Sequence, residues 1–183
     1  MRKVVISVLG QDRPGIVAAV SRVLLEHRCN IEDVSQTILQ SEFAGVFIAS
    51  IGSGLTPEAL RAHLEQALAP IGLLVTVKPL EPRRGAQPPA SEPFVVTTIG
   101  PDRLGLVAGI TEIMADFGVN ITTLKAAFRG GDDPRRNIMI YEVDIPSAID
   151  RQAFRQALRD RAAALGLDLS LQHRQIFEAI QSI

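Results

Sequence analysis

The sequence predicts an α+β protein built from two copies of one β-α-β-β-α-β module, each an antiparallel sheet with its helices on one face. Three observations predict it. The polar turn Gly10-Gln11-Asp12-Arg13-Pro14-Gly15 returns ninety residues later as Gly100-Pro101-Asp102-Arg103-Leu104-Gly105. Each turn is followed by an apolar run at helical spacing, ending at Asn30-Ile31 and at Asn120-Ile121. A second helical pattern then recurs at an offset of 94, closed by Gly72 in the first copy and Gly166 in the second. A repeat of this period is longer than a solenoid unit and has the length of a small domain.

The elements follow in order. Lys3 to Leu9 is a β-branched strand. Pro14 is expected just inside the next helix, where a missing N–H costs nothing. Ile16, Val17, Val20, Val23, Leu24 and His27 lie at helical spacing, and Leu106, Val107, Ile110, Ile113, Met114 and Phe117 repeat the stripe. One face of this helix therefore packs on a sheet. Asn30 and Asn120 open the second strands, and Phe43–Ile51 and Arg136–Ile145 read as the third. Thr56-Pro57 and Asp150 start the second helices as cap residues. Leu60, Leu64, Leu68 and Ile71 form the inner face of the first copy's helix, mirrored by Phe154, Leu158, Ala162 and Leu165. Leu73–Val77 and Leu167–Leu171 are the fourth strands. The four extra residues of copy two must lie between its second and third strands, and 129–136, rich in Gly and Asp, reads as a longer hairpin loop. This order is the ferredoxin-like split βαβ arrangement. The expected division is a first module over 1–80, a Pro-rich semi-rigid linker over 81–93, a second module over 94–175 and a tail over 176–183, either a packing helix or a partner surface.

Bulk properties exclude several classes. The net charge of −1 gives no basic excess for nucleic acid, and no 18-residue apolar stretch reads as a membrane span. The single cysteine, Cys29, rules out an internal disulfide; its counterpart Val119 makes it a small apolar core residue, in keeping with a cytoplasmic protein. Aromatic residues are only 4% of the chain, too few for stacking RNA bases on the central strands. No Cys-x-x-Cys, Gly-x-Ser-x-Gly or P-loop occurs, and His27, His63 and His173 fall in separate elements without metal-ligand spacing. No cofactor, metal centre or catalytic constellation is expected, and His63 reads as a solvated surface residue.

The turn offers binding. The first glycine allows a sharp exit from the strand, and the second, at the first helical turn, lets a ligand approach the backbone closely. The helix N-terminus presents free N–H groups and a partial positive charge, which stabilises a carboxylate by about 0.3–1 kcal/mol. Asp12 and Asp102 have two uses open: capping the helix or pairing with an ammonium group. Asn30 and Asn120 carry a donor and an acceptor each. The turn and the start of strand two are expected at the same end of adjacent elements, where together they suit a zwitterionic α-amino acid.

Asp12-Arg13-Pro14-Gly15-Ile16-Val17 with Asn30-Ile31 resembles the ACT domain, a regulatory module, and Asp102-Arg103-Leu104-Gly105-Leu106-Val107 with Asn120-Ile121 matches it again. The first copy, from Leu9 through Asp33, is most similar to the family of glycine cleavage system transcriptional repressors, which consist of two ACT domains. The resemblance implies amino-acid binding at an interface between ACT domains. Its contacts carry over to Asp12, Arg13, Gly15, Asn30 and Ile31, and to Asp102, Arg103, Gly105, Asn120 and Ile121. Arg13 and Arg103 have an exposed structural role equally open. Leu104 departs from the pattern's proline, and the longer hairpin of copy two makes unequal sites an expectation.

The resemblance also implies a non-enzymatic sensor of glycine or a similar small amino acid. Such a protein acts through protein–protein contact, with a LysR-type transcription factor as the implied partner, as a homo-oligomer and without touching DNA or membrane. Two other readings stay open: a regulatory subunit of an amino-acid or one-carbon enzyme, and a ligand-free oligomerisation module.

Overall fold

The computed structural model describes residues 2–81, 89–128 and 137–181. The chain divides into two compact units, Met1–Gly85 and Ala86–Ile183. The first runs β1 (Arg2–Gln11), α1 (Ile16–Glu26), β2 (Asn30–Leu39), β3 (Glu42–Ile51), α2 (Pro57–Leu68), a 3-10 turn (Ala69–Ile71) and β4 (Leu74–Pro79). The second runs β5 (Ser91–Gly100), α3 (Leu106–Asp116), β6 (Asn120–Phe128), β7 (Asn137–Pro146), α4 (Arg151–Ala164), β8 (Asp168–His173) and α5 (Arg174–Gln181). The sheets have the orders β2-β3-β1-β4 and β6-β7-β5-β8, every pairing antiparallel. Each unit is the expected βαββαβ module.

Period-two alternation decides which strand face meets the helices. In β1, Val4, Ile6 and Val8 are buried against Val20, Leu24, Leu60 and Leu64. In the second unit, Phe94, Val96, Tyr141 and Val143 meet Ile110, Met114, Phe154 and Leu158. Val17 and Val107 sit at the rim of their stripes, 39% exposed each. The second helices are capped as the sequence predicts. Thr56 Oγ1 accepts from the Ala59 N–H at 3.2 Å, and Asp150 Oδ1 accepts from the Gln152 and Ala153 N–H groups at 2.9 and 3.0 Å. Gly72 and Gly166 end these segments with φ of 76° and 66°.

Three expectations need correction. Pro14 is not inside α1, which begins at Ile16; Gly15, at φ 96°, is its N-cap and holds the proline in the turn outside. Likewise Gly15 and Gly105 precede the helix instead of sitting in its first turn. The segment 81–93 is not all linker, because β5 begins at Ser91. Pro93 is tolerated there because the pairing of β8 with β5 starts only at Phe94, so no ladder bond to β8 is lost. Residues 82–88 of that segment lie outside the described residues, as do 182–183 of the tail.

The registers locate the insertion. Gly10 faces Phe43, and Gly100 faces Asn137, an offset of 94 on the third strands, whereas Asn30 and Asn120 keep an offset of 90 on the second. The proposed long hairpin at 129–136 lies outside the described residues. In the tail, α5 packs against β5 and β8, and Arg174 reaches Glu142 at 3.7 Å on the sheet face turned away from α3 and α4.

Candidate functional site

The two polar turns have the same construction. A Cβ on Gly10 would lie 2.8 Å from Leu73 Cδ2 and 2.9 Å from the Gly72 carbonyl oxygen; on Gly100 it would lie 2.6 Å from Leu167 Cδ2 and 3.0 Å from the Gly166 carbonyl oxygen. The first glycine of each turn is therefore required by close packing on the backbone that enters the fourth strand, more than by the sharpness of the exit. The second glycine is required by conformation. Gly15 and Gly105 stand at φ 96° and 87°, and nothing lies within 4 Å of where a Cβ would be.

Neither α1 nor α3 has a side-chain cap. The first intrahelical bonds are Ala19 N–H to Gly15 O and Gly109 N–H to Gly105 O, both 2.9 Å. The N–H groups ahead of them stand open, whereas α2 and α4 are closed by Thr56 and Asp150. Capping by Asp12 or Asp102, one of the two uses considered for them, is not what they do. Asp12 ties the turn to the β2–β3 hairpin through its backbone, its N–H donating to Ser41 O at 2.7 Å. Asp102 Oδ1 accepts from Asn137 Nδ2 at 3.3 Å. A carboxylate only accepts, so this bond fixes the amide orientation and leaves Asn137 Oδ1 as a buried acceptor with no partner among the described residues. Asn137 is 7% exposed. Its counterpart in the first unit is Phe43, 2% exposed and apolar. The two turns therefore differ within the described residues, independently of the hairpin length.

Arg103 donates to the Leu165 carbonyl at the end of α4, which gives it a structural use. Arg13 has no partner among the described residues. Ile31 and Ile121 are partly buried and pack against the cores, so what they leave for a ligand is chiefly backbone.

The expected convergence of turn and second strand does not occur within one unit. Asn30 pairs with Ser50, while the turn begins opposite Phe43; Asn120 pairs with Asp144, while its turn begins opposite Asn137. Seven strand residues separate the two places, about 23 Å. The ion pair between Lys3 and Glu32 confirms that β2 starts beside the beginning of β1. The cause is topological. The first helix carries the chain back along the sheet, so the second strand starts at the far end. Asp12, Arg13 and Gly15 are thus together, as are Asp102, Arg103 and Gly105, but Asn30, Ile31, Asn120 and Ile121 are remote from the turn of their own unit. The asparagine beside a turn is Asn137, which the sequence reading passed over. Its signal was the mismatch with Phe43 in the repeat alignment.

Cys29 is partly buried, its Sγ 3.6 Å from the His27 carbonyl oxygen as a weak donor, and burial raises its thiol above the ordinary range. The imidazoles of His27 and His63, distant in sequence, stack with centroids 3.9 Å apart and planes at 24°. Among the described residues, no group of three or more His, Cys, Asp or Glu is arranged for a metal ion, and no helix is long and apolar enough to cross a membrane.

Comparison with known proteins agrees with this construction. The family model for the ACT domain matches twice, over residues 2–78 and 92–172. A UPF0237 protein of Methanopyrus kandleri is 43% identical over 79 residues, 43% of this chain and 88% of that protein, so it has the length of one unit. An unknown protein from Galdieria sulphuraria superposes with a TM-score of 0.76 at 25% identity, covering 94% of this chain and 98% of that one. A protein provisionally described as a glycine cleavage system transcriptional repressor superposes with a TM-score of 0.64 at 21% identity, covering 93% and 96%, a likeness of fold. Two matched modules, which together cover most of the chain, place it in the ACT domain family.

Proposed function

We propose that this protein is a regulatory sensor that binds glycine or a similarly small α-amino acid at its polar turns and signals through protein–protein contact. ACT domains are regulatory amino-acid-binding modules, so the ligand class follows from the family. The observation that carries the reading is the environment of α3. Open N–H groups at the helix start suit a carboxylate, and the Asp102 carboxylate with the orphaned Asn137 Oδ1 offers two acceptors to an ammonium group. The first unit offers the open helix start and Asp12, but an apolar Phe43 in place of Asn137, so its affinity is the weaker.

The site is completed by another ACT surface. Leu104 is wholly exposed beside the turn, and the second-strand asparagines are too far away to complete the turn of their own unit. Homo-oligomerisation supplies such a surface, and ligand then biases an assembly. The resemblance to the repressor family, with the likeness of fold, supports regulation of glycine cleavage as the output; action through a LysR-type transcription factor in the cytoplasm, without contact with DNA, is what that resemblance implies.

Calorimetry across the twenty amino acids tests the ligand. One or two small amino acids should bind with Kd of about 1 mM or tighter, roughly −4 kcal/mol. Absence of any such binding defeats the sensor reading and favours an assembly module. A salt-sensitive gel shift with plain DNA defeats the indirect mode of action.

A further inference from the structure

Along α4 of the second unit, Arg151, Arg155 and Arg159 stand four residues apart and share one stripe. Arg151 is committed to Glu92, with bonds of 3.0 and 2.5 Å, and lies 5.9 Å over the Phe94 ring. Arg155 and Arg159 are exposed and have no partner among the described residues. The nearby Asp160 is engaged by the Gln156 amide at 2.8 Å. Beside this stripe an apolar cavity of about 290 Å³ opens, walled by Phe94, Ile145, Phe154 and Leu171, with Arg155 on its rim. A second depression of about 240 Å³ continues along β8 and is lined by both Arg155 and Arg159, with Ser170 and Gln172.

The first unit serves as an internal control. The counterparts of Arg155 and Arg159 are Arg61 and Glu65, which form an ion pair at 3.6 Å. Where the first unit has that favourable i, i+4 pair, the second has two like charges, an arrangement that destabilises a helix when nothing neutralises it. The two like charges stand at the mouth of an apolar cavity near the lower end of small-ligand pocket volumes.

We propose that this groove is a second ligand site, which takes a small carboxylate with an apolar body of aromatic or branched side-chain size. The carboxylate lies between the guanidinium groups of Arg155 and Arg159, where charge-assisted hydrogen bonds are strongest, and the body enters the cavity. The cavity that takes the apolar body is separate from the polar turn, since Phe94 precedes Gly100 by six strand residues, about 20 Å, and the arginine end beside Ser170, which pairs with Thr97, is three residues from it, about 10 Å. The site does not depend on amino-acid binding at the turn. A cavity of this size holds a body of aromatic or branched side-chain size and not a helix or strand, and the occupant proposed is a small molecule.

Titration of the full-length protein with 3-phenylpropionate, followed by calorimetry and by NMR shifts of β8 and α4 amides, tests the site. Saturable 1:1 binding is expected at about 1 mM or tighter. The uncharged 3-phenylpropan-1-ol should bind at least about tenfold more weakly, and so should 3-phenylpropionate to the Arg155→Gln/Arg159→Gln variant. Both arginines are exposed and their like charges repel, so that variant should keep or slightly raise its melting temperature. Arg61→Gln should leave 3-phenylpropionate binding unchanged. Lack of saturation, equal binding of acid and alcohol, or unaltered binding to the double variant each overturns the proposal.

Discussion

Asp102 and Asn137 meet at 3.3 Å across the second unit's turn, and the remaining amide oxygen of Asn137 is buried without a partner among the described residues. A buried unsatisfied acceptor costs about 1–3 kcal/mol. Asn137→Leu imitates the apolar Phe43 of the first unit. It should leave thermal stability equal or raised and weaken binding of the preferred amino acid by about tenfold or more, the value of one charged hydrogen bond. Thermal melts and calorimetry read the two effects separately. A variant that loses stability while binding normally would make Asn137 a packing residue only.

The two glycines of each turn should respond differently to alanine. Gly100→Ala drives a methyl onto the Gly166 carbonyl and Leu167, with a cost of about 1–3 kcal/mol from overpacking. Gly105→Ala meets no atom and pays only for its positive φ, about 1–2 kcal/mol. Urea denaturation should therefore rank Gly100→Ala as the more damaging, while a loss of ligand binding without gross unfolding belongs to Gly105→Ala.

Arg151 lowers the Glu92 carboxyl below its ordinary range, first through the hydrogen bonds between them. A carboxylate depressed in the folded state adds stability above its unfolded pKa and loses it as pH falls through the folded pKa. The stability gap between the wild type and Arg151→Met should be present at neutral pH and should close as pH drops below the usual carboxylate range. Both groups are substantially exposed, so the gap is small and salt-sensitive. Melting curves of the pair as a function of pH check this.

Cys29 should react slowly with an aromatic disulfide reagent at pH 7, because burial disfavours its thiolate. Denaturant should accelerate the reaction strongly, and Cys29→Val, the residue used at the matching position 119, should preserve fold and ligand binding. Rapid labelling of the folded protein would contradict the core assignment.

Much of this fold was legible because its signals are local. Alternation in Val4, Ile6 and Val8, the helical stripe through Val20 and Leu24, and caps at Thr56 and Asp150 each act within a few residues. The duplication supplied a second reading of each strand and of the four helices that the two units share. The site was less legible. Asp12 and Asp102 were found from the turn, but the placement of Asn30 and Asn120 beside them failed, because it depends on which end of the sheet the chain reaches after a helix. Arg103 showed no sign in its own turn of the Leu165 carbonyl it serves.

The sequence by itself determined the repeat, the βαββαβ order, the elements' approximate bounds and the two glycines of each turn, since those follow from spacing and backbone preference. Only the tertiary structure decided why each glycine is needed, which helix starts stay uncapped, and that Asn137 stands beside Asp102 while Phe43 takes its place in the first unit. It also decided that Arg155 and Arg159 flank a cavity. Such facts depend on strand register and on helix packing against the sheet, which bring together residues tens of positions apart, and no local pattern encodes that proximity.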